Sequence, residues 1–483
     1  MFAPELWRGL VLLQHELLLF AGVFFLIGAL DDLAVDGIWL WLKVSGRART
    51  ARRGREALRA RPLSGPVAVL IPAWREAAVI GQTLRHLLDT WPHATLRLYI
   101  GCYRNDPATL GAAIAAARGD PRLRLVILDR DGPTTKADCL NRLHAALLLD
   151  EARSGRRFAT VVFHDAEDMV DPAALGLLDE CIAGGADFVQ LPVEPLVPHH
   201  RDFAARHIGA HYCEEFAEAH GKAMVVRDAL GAGLPGAGVG CAVSRRALDW
   251  LVRREGDGGA AGLPFASDSL TEDYELGLAV AAAGGRCRFV RARGEDGRLI
   301  ATRAFFPHAF DAVVRQKARW VLGISLLGWD RVGWSGGITE FWMRARDRRG
   351  PLTALVLLVG YVLVLLTGVM GVMVVTGLSE PVPLSPVLRA VLYANAVAFG
   401  WRIVWRFAFT AREHGVAEGL FAVLRLPLAN VIAIIAGRRA VFAYARTLAG
   451  RSAVWDKTDH DTHPAELGAR LRGQLALAGA QRP

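Results

Sequence analysis

Apolar runs near both ends of the chain, separated by about 280 residues of mixed composition, constrain the fold more than any other feature. The first run extends from Leu10 to Leu30. At 1.5 Å per residue, about 21 helical residues cross the hydrocarbon core of a bilayer. Gln14, His15 and Glu16 weaken its first half. A cleaved signal peptide fits poorly, because only Arg8 precedes the run. Gly28-Ala29-Leu30 also leads into Asp31 and Asp32 without a small-x-small pattern. The run therefore reads as an uncleaved anchor. Ile38 to Leu42 (IWLWL) reads as interfacial, with Trp39 and Trp41 at headgroup level. Leu352 to Leu378 and Val387 to Phe409 read as further spans, although Arg389, Arg402 and Arg406 intrude on the second. Gly419 to Gly437 is broken by Arg425 and Pro427 and reads as an amphipathic interfacial helix. That gives three spans, with four as the alternative.

The charges orient these spans. Net charge is +9 and mean hydropathy is +0.26, a pairing that argues against a plain nucleic-acid binder. Residues 43–61 hold eight basic side chains and one acid, Glu56, while residues 344–349 hold four arginines and Asp347. Together they exceed the net charge of the whole chain. The loop from Ser379 to Pro386 has no Lys or Arg. By the positive-inside rule the long middle stretch is cytoplasmic and that loop external. The 6 cysteines are scattered, with no C-x-x-C pair, which suits a reduced compartment. The expected division is an anchor and basic segment (1–61), a cytoplasmic domain (62–345), C-terminal membrane helices (346–450) and a cytoplasmic tail (451–483).

Within the middle stretch, apolar runs alternate with helical periodicity. Val67–Ile71, Leu96–Gly101, Leu123–Leu128, Ala159–Phe163 and Ala186–Leu191 read as strands, with helices over Glu76–Thr90 and Lys136–Leu149. Such alternation implies an α/β fold with a parallel, doubly wound sheet, whose ligands bind at the carboxyl ends of the strands.

Three clusters there could carry chemistry. His164-Asp165-Ala166-Glu167-Asp168 follows the fourth strand. Its carboxylates suit a hard cation, although acids capping a helix would look the same. Ser269 to Glu275 (SLTEDYE) precedes a helical pattern and could equally be a cap. Gln316, Arg319 and Trp320 fall on one helical face, where Arg can clamp phosphate and Trp can stack on a sugar, or both can sit at a membrane surface. Gly231 to Gly236 fits G-x-G-x-x-G, but it follows no clear strand and contains Pro235; its glycines suit close approach of backbone to a ligand instead. His207 and His211, four residues apart, lack an H-E-x-x-H frame for zinc, and His199-His200 reads as an exposed loop pair.

In this order and spacing the clusters resemble the processive, membrane-embedded family 2 glycosyltransferases. The closer resemblance is to the bacteriophage adsorption protein B group, carried by Pro72–Glu76 (PAWRE), Asn105–Pro107 (NDP), Gly132–Asn141 (GPTTKADCLN), Glu215–Lys222 (EFAEAHGK) and Trp455–His460 (WDKTDH). The resemblance implies a GT-A domain with a doubly wound mixed sheet, flanked by transmembrane and interfacial helices. It implies an inverting transfer from a UDP-linked nucleotide-sugar to a growing exopolysaccharide at the bacterial inner membrane. A non-processive lipid glycosyltransferase and a catalytically inactive nucleotide-sugar-binding scaffold are the alternatives. By resemblance Glu76, Asp106, Lys136 and Asp165 contact the donor, and Asp273 is the catalytic base. Asp165 with Glu167 or Asp168 holds Mg2+ or Mn2+, since this chain reads D-x-E-D where the family has D-x-D. Glu272, Gln316, Arg319 and Trp320 form the acceptor and pyrophosphate site. An export partner in the periplasm or outer membrane is implied. Members of the group often carry a cyclic di-GMP-binding module after the last motif, so regulation here is expected from a separate subunit.

Overall fold

The computed structural model describes residues 4–198, 200–256, 262–334, 336–381 and 383–450. The Trp455–His460 motif, the tail from 451 and His199 lie outside the described residues. The strands are β1 Val67–Pro72, β2 Leu96–Tyr103, β3 Leu123–Leu128, β4 Thr160–Phe163, β5 Phe188–Gln190, β6 Val193–Pro195, β7 Cys241–Ser244, β8 Cys287–Phe289 and β9 Thr302–Ala304. The main sheet has the order β3-β2-β1-β4-β7-β5-β8, and β6 pairs with β9 beside it. Parallel pairing holds from β3 to β4, while β7 is antiparallel to both β4 and β5. The sheet is therefore mixed rather than parallel throughout. The expectation missed β7 because Cys241–Ser244 is short and follows a glycine-rich loop.

β1 shows why VAVLI has no polar alternation. Val67, Val69 and Ile71 face one core layer and Ala68 and Leu70 the other, all with no exposed surface. A strand covered on both faces reads as continuous apolar sequence. The helices that matter below are α1 Pro4–Val44, α2 Ile80–Thr90, α3 Pro107–Ala117, α4 Lys136–Ser154, α5 Phe203–Glu218, α6 Glu272–Ala282, α7 Phe310–Trp320, α8 Ile338–Arg348, α9 Gly350–Val375, α10 Pro386–His414, α11 Val416–Leu424 and α12 Leu426–Leu448.

Among the described residues, four helices are long and apolar enough to cross a membrane: α1, α9, α10 and α12. α1 touches both α9 and α10. Gln14 donates to Thr367 Oγ1 (2.9 Å) and Asn395 to the Gly22 carbonyl (2.8 Å). At 41 residues α1 is about 60 Å long, twice the hydrocarbon thickness. It runs through Asp31, Asp32 and Asp36 without a break because each is paired. Arg346 and Arg349 take Asp31 and Asp32, and Lys222 takes Asp36. Trp39, read as interfacial, is not presented at the protein surface. It is buried against Trp405 and Phe409 and donates to the Gly221 carbonyl (2.9 Å). Trp41 remains exposed.

The basic segment after α1 is also structured. Ala51–Arg52 pairs with Ala292–Arg293, Arg53 bonds Glu180, and Arg55 bonds Asp171 and Asp296. Much of its charge is thus matched by acids of the domain. α12 packs lengthwise on the domain. Leu428, Ile432 and Ile435 lie against Val313, Val314 and Trp320, and Ala440 lies against Leu270 and Leu322.

Candidate functional site

Chain direction reverses at the centre of the sheet. From β1 the chain winds out through β2 and β3, then returns to β4 on the other side of β1. The carboxyl ends of β1 and β4 therefore bound a crevice, the usual ligand position in such sheets. A cavity of about 540 Å³ opens there, lined by Trp74, Glu76 and Tyr103 from the β1 and β2 ends. Lys136, Asp165, Glu167, Glu272 and Asp273 form its middle, and Gln316, Arg319 and Trp320 its far wall. The volume is typical of small-ligand sites.

After β1 the chain turns through Arg75, whose φ of 55° is left-handed. Asp106 caps α3, accepting from Thr109 N (3.3 Å), and also accepts from Arg75 N (2.6 Å). Glu76 N donates to Thr109 Oγ1 (2.9 Å). Glu76 reaches the cavity wall, whereas Asp106 is buried behind it and fixes the turn that presents Glu76.

Lys136 begins α4, capped by Thr135 through Asp138 N (3.1 Å). Its Nζ lies 2.6 Å from Asp165 Oδ1 and 3.8 Å from Glu272 Oε1. Burial alone would depress this amine, but Asp165, Glu272 and Asp273 outweigh it and hold the proton firmly.

The carboxylates after β4 divide by environment. Asp168 is buried, with Oδ2 2.7 Å from His164 Nδ1 and accepting from Asp165 N (3.0 Å). It shapes the turn. Asp165 and Glu167 are half-buried at the cavity. Among the described residues, no group of three or more His, Cys, Asp or Glu side chains is arranged to hold a metal ion. One or two carboxylates that share a cation with a substrate phosphate are nevertheless the usual protein share of a Mg2+ site, and Asp165 with Glu167 fits that donor set.

Asp273 and Glu272 open α6. Burial raises both carboxyls, Glu272 to about 7, while Lys136 pulls each back down. A loop from Gly236 to Gly240 runs against them. Gly238 has φ +77, and a Cβ there would lie 2.5 Å from Asp273 Oδ2 and 3.1 Å from Lys136 Nζ. Gly238, just beyond the glycines singled out in the sequence, lets backbone approach the Asp273 carboxylate.

On α7, Gln316 is buried and accepts from Tyr212 OH (2.5 Å). Trp320 faces Tyr212 and Phe216 edge-on, at centroid distances of 6.0 and 6.5 Å. Phe306 completes this aromatic wall, 4.6 Å from Tyr212. Directly after Trp320 the helix widens into a π-helix, Val321–Leu327, and α5 does the same over Ala219–Ala223. Such widenings are frequent at functional sites. The sequence reading missed Tyr212, Phe216 and Phe306, whose convergence no local pattern announces. His207 and His211 do not line the cavity; their Nδ1 atoms are engaged by Arg425 and the Ile208 carbonyl, and His211 packs behind Tyr212 at a centroid distance of 4.1 Å.

A family model described as glycosyltransferase like family 2 matches residues 64–323. Bacteriophage adsorption protein B of Escherichia coli K12 is 32% identical over 490 residues, covering 94% of this chain and 63% of that protein. Bacteriophage N4 adsorption protein B of Escherichia coli O157:H7 matches to the same extent. The chain thus spans less than two thirds of the length of these relatives. Among solved structures, a mannosyltransferase from Pyrobaculum calidifontis, in complex with GDP-Man and Mn2+, has a TM-score of 0.44 at 16% identity. That match covers 83% of this chain and 97% of that one. Glucosyl-3-phosphoglycerate synthase from Mycobacterium tuberculosis, with Mn2+, UDP and phosphoglyceric acid, has a TM-score of 0.35 at 18% identity. It covers 60% of this chain and 86% of that one.

Proposed function

Because the chain belongs to glycosyltransferase family 2, we propose that it elongates an exopolysaccharide at the bacterial inner membrane, with a UDP-linked sugar as donor and inversion at the anomeric carbon. The observation that carries this reading is the placement of Asp273. It is half-buried, with Lys136 and Arg319 among the charges acting on it, in a cavity that runs from the β1 and β4 ends to Trp320.

In this mechanism Asp273 accepts the proton of an acceptor hydroxyl as that oxygen attacks the anomeric carbon. Burial favours this role, because it raises the carboxylate's affinity for a proton. Asp165 and Glu167 would hold a divalent cation, Mg2+ or Mn2+, whose charge offsets that of the leaving diphosphate. Lys136 and Arg319 supply fixed positive charge to the same end. Glu76 borders the nucleotide end, presented by the Asp106 turn. Gln316, fixed by Tyr212, and Trp320 hold the acceptor sugar in line. Glu272 shares the α6 terminus with Asp273, whose negative charge adds to burial in raising the Glu272 carboxyl. The basic edges support a cytoplasmic domain, with α1, α9 and α10 as spans. α12, tied to the domain at Arg425–Glu214, lies along the interface.

The test is Asp273→Asn in membranes, read by nucleoside diphosphate release and product length together. The expected result is loss of transfer with donor binding retained. Near wild-type release would sink the base assignment, and release with only single-sugar products would sink elongation.

A further inference from the structure

The run from Arg344 to Arg349, just before α9, holds one acid, Asp347. Its neighbours Arg346 and Arg349 reach outward to Asp31 and Asp32 of α1. Asp347 instead faces the catalytic domain. Arg227 Nη1 donates to both of its carboxylate oxygens, at 2.9 and 2.8 Å, and the Tyr274 hydroxyl donates to Oδ2 at 2.9 Å. Ser325 Oγ donates to its backbone carbonyl (3.1 Å). A carboxylate held by a guanidinium through both oxygens has a fixed orientation, so Oδ2 is a stationary acceptor for the phenol.

Tyr274 follows Asp273 in the first turn of α6 and is buried at the cavity wall. Its backbone amide donates to Asp273 Oδ1 at 2.8 Å. Burial and the Asp347 charge both raise its phenol, which therefore stays protonated and acts as the donor. One residue thus joins two carboxylates, Asp273 through its amide and Asp347 through its hydroxyl. The body of α6 does not need this link, because Leu276 and Val280 anchor it in the core. The first turn is less secure. Thr271, the residue before it, makes no side-chain capping bond, so Asp273 depends on another fixed point.

We propose that Tyr274 is a positioning residue, which holds the Asp273 carboxylate at a place set by Asp347 and so ties it to the helices read as spans. The proposal rests on the reading of Asp273 as the base. α8, which carries Asp347, passes into α9 through Arg349 alone. It is pinned to α1 by the ion pairs of Arg346 and Arg349. A shift of α8 against the domain therefore pulls on the Tyr274 hydroxyl, and through the Tyr274 amide on Asp273, while the buried body of α6 stays in place.

The test uses the full chain in phospholipid nanodiscs. Nucleoside diphosphate release gives kcat and the donor KM, UDP titration gives nucleotide affinity, and a thermal melt reports folding. Tyr274→Phe keeps the ring and removes only the hydroxyl. It should lower kcat about tenfold, the lower end of what a hydrogen bond to a charged group is worth, with KM and UDP affinity unchanged. An unchanged kcat, whatever the melting midpoint, would overturn the proposal, and so would a loss carried by KM or UDP affinity. Arg349→Gln tests the link to the membrane helices, and its side chain is 37% exposed, so the variant should fold. It should lower kcat about threefold by itself, a usual size for remote coupling, and have no further effect once Tyr274→Phe is in place. No effect, or an equal effect in both backgrounds, would overturn that link. Asp273→Asn, assayed alongside, separates the two readings. If it still releases nucleoside diphosphate, the base assignment fails; if it is inactive while Tyr274→Phe is unchanged, only the positioning role fails.

Discussion

Gly238→Ala separates backbone strain from damage to the site. Gly238 and Gly231 both hold a left-handed backbone, with φ of +77 and +68. An alanine in that conformation costs roughly 1–2 kcal/mol at either position. The surroundings differ. Nothing lies within 4 Å of a Cβ at Gly231, whereas a Cβ at Gly238 would meet Asp273 Oδ2 at 2.5 Å. Ordinary contact begins at 3.4 Å, so the carboxylate or the loop must yield by about 0.9 Å. A displacement of that order in a reacting group costs about 100-fold in rate. Lys136 Nζ, 3.1 Å from the same Cβ, is also crowded and cannot follow Asp273 freely. Both variants should therefore lose similar stability in a thermal melt of the solubilised protein. Gly231→Ala should keep nucleoside diphosphate release within about threefold of wild type, and Gly238→Ala should lose about 100-fold. Equal activity in the two variants would refute the placement of Asp273 against this loop.

Three further outcomes follow from the same geometry. Glu272 titrates at about 7 when folded against 4.5 as a free carboxyl, so the folded state binds the extra proton between those values. Stability should therefore fall as pH rises through that window, and Glu272→Gln should flatten the melting-temperature profile there. Tyr212→Phe removes the donor to Gln316 and should cost about 0.5–1.5 kcal/mol, with product length shortened more than donor binding, read by sizing and by nucleotide titration. Arg425→Met strips the fully buried Glu214 of one of two arginine partners, Arg406 being the other. It should destabilise by about 3 kcal/mol in denaturant titration.

Much of the fold was legible because its signals are local. β1 to β4 announce themselves as apolar runs, and their parallel order follows from the helices between them. β7 and β8 do not. Each has three or four residues and holds its place through pairing with strands distant in sequence. α1 exceeded its expected end for a similar reason. Asp31, Asp32 and Asp36 look like the end of a span when read in sequence. Their partners at Arg346, Arg349 and Lys222 lie between 186 and 318 residues away.

The same distinction governs the site. Asp165, Asp273, Gln316, Arg319 and Trp320 line one cavity, as their motifs implied. Asp106 and Asp168 belong to equally suggestive motifs, yet both hold backbone, and of the two it is Asp168 that also borders the cavity. What separates the groups is the number of backbone donors within reach. Asp106 takes two amides, and Asp168 takes one amide and a histidine. Asp165 instead meets the mobile-ended charge of Lys136, a partner that a cation and a diphosphate could share or replace. A carboxylate already satisfied by fixed amides has little left to offer a ligand. Glu167 and Asp168 both border the cavity beside Asp165, and of the two it is Asp168 whose Oδ2 is committed to His164 and to the Asp165 amide.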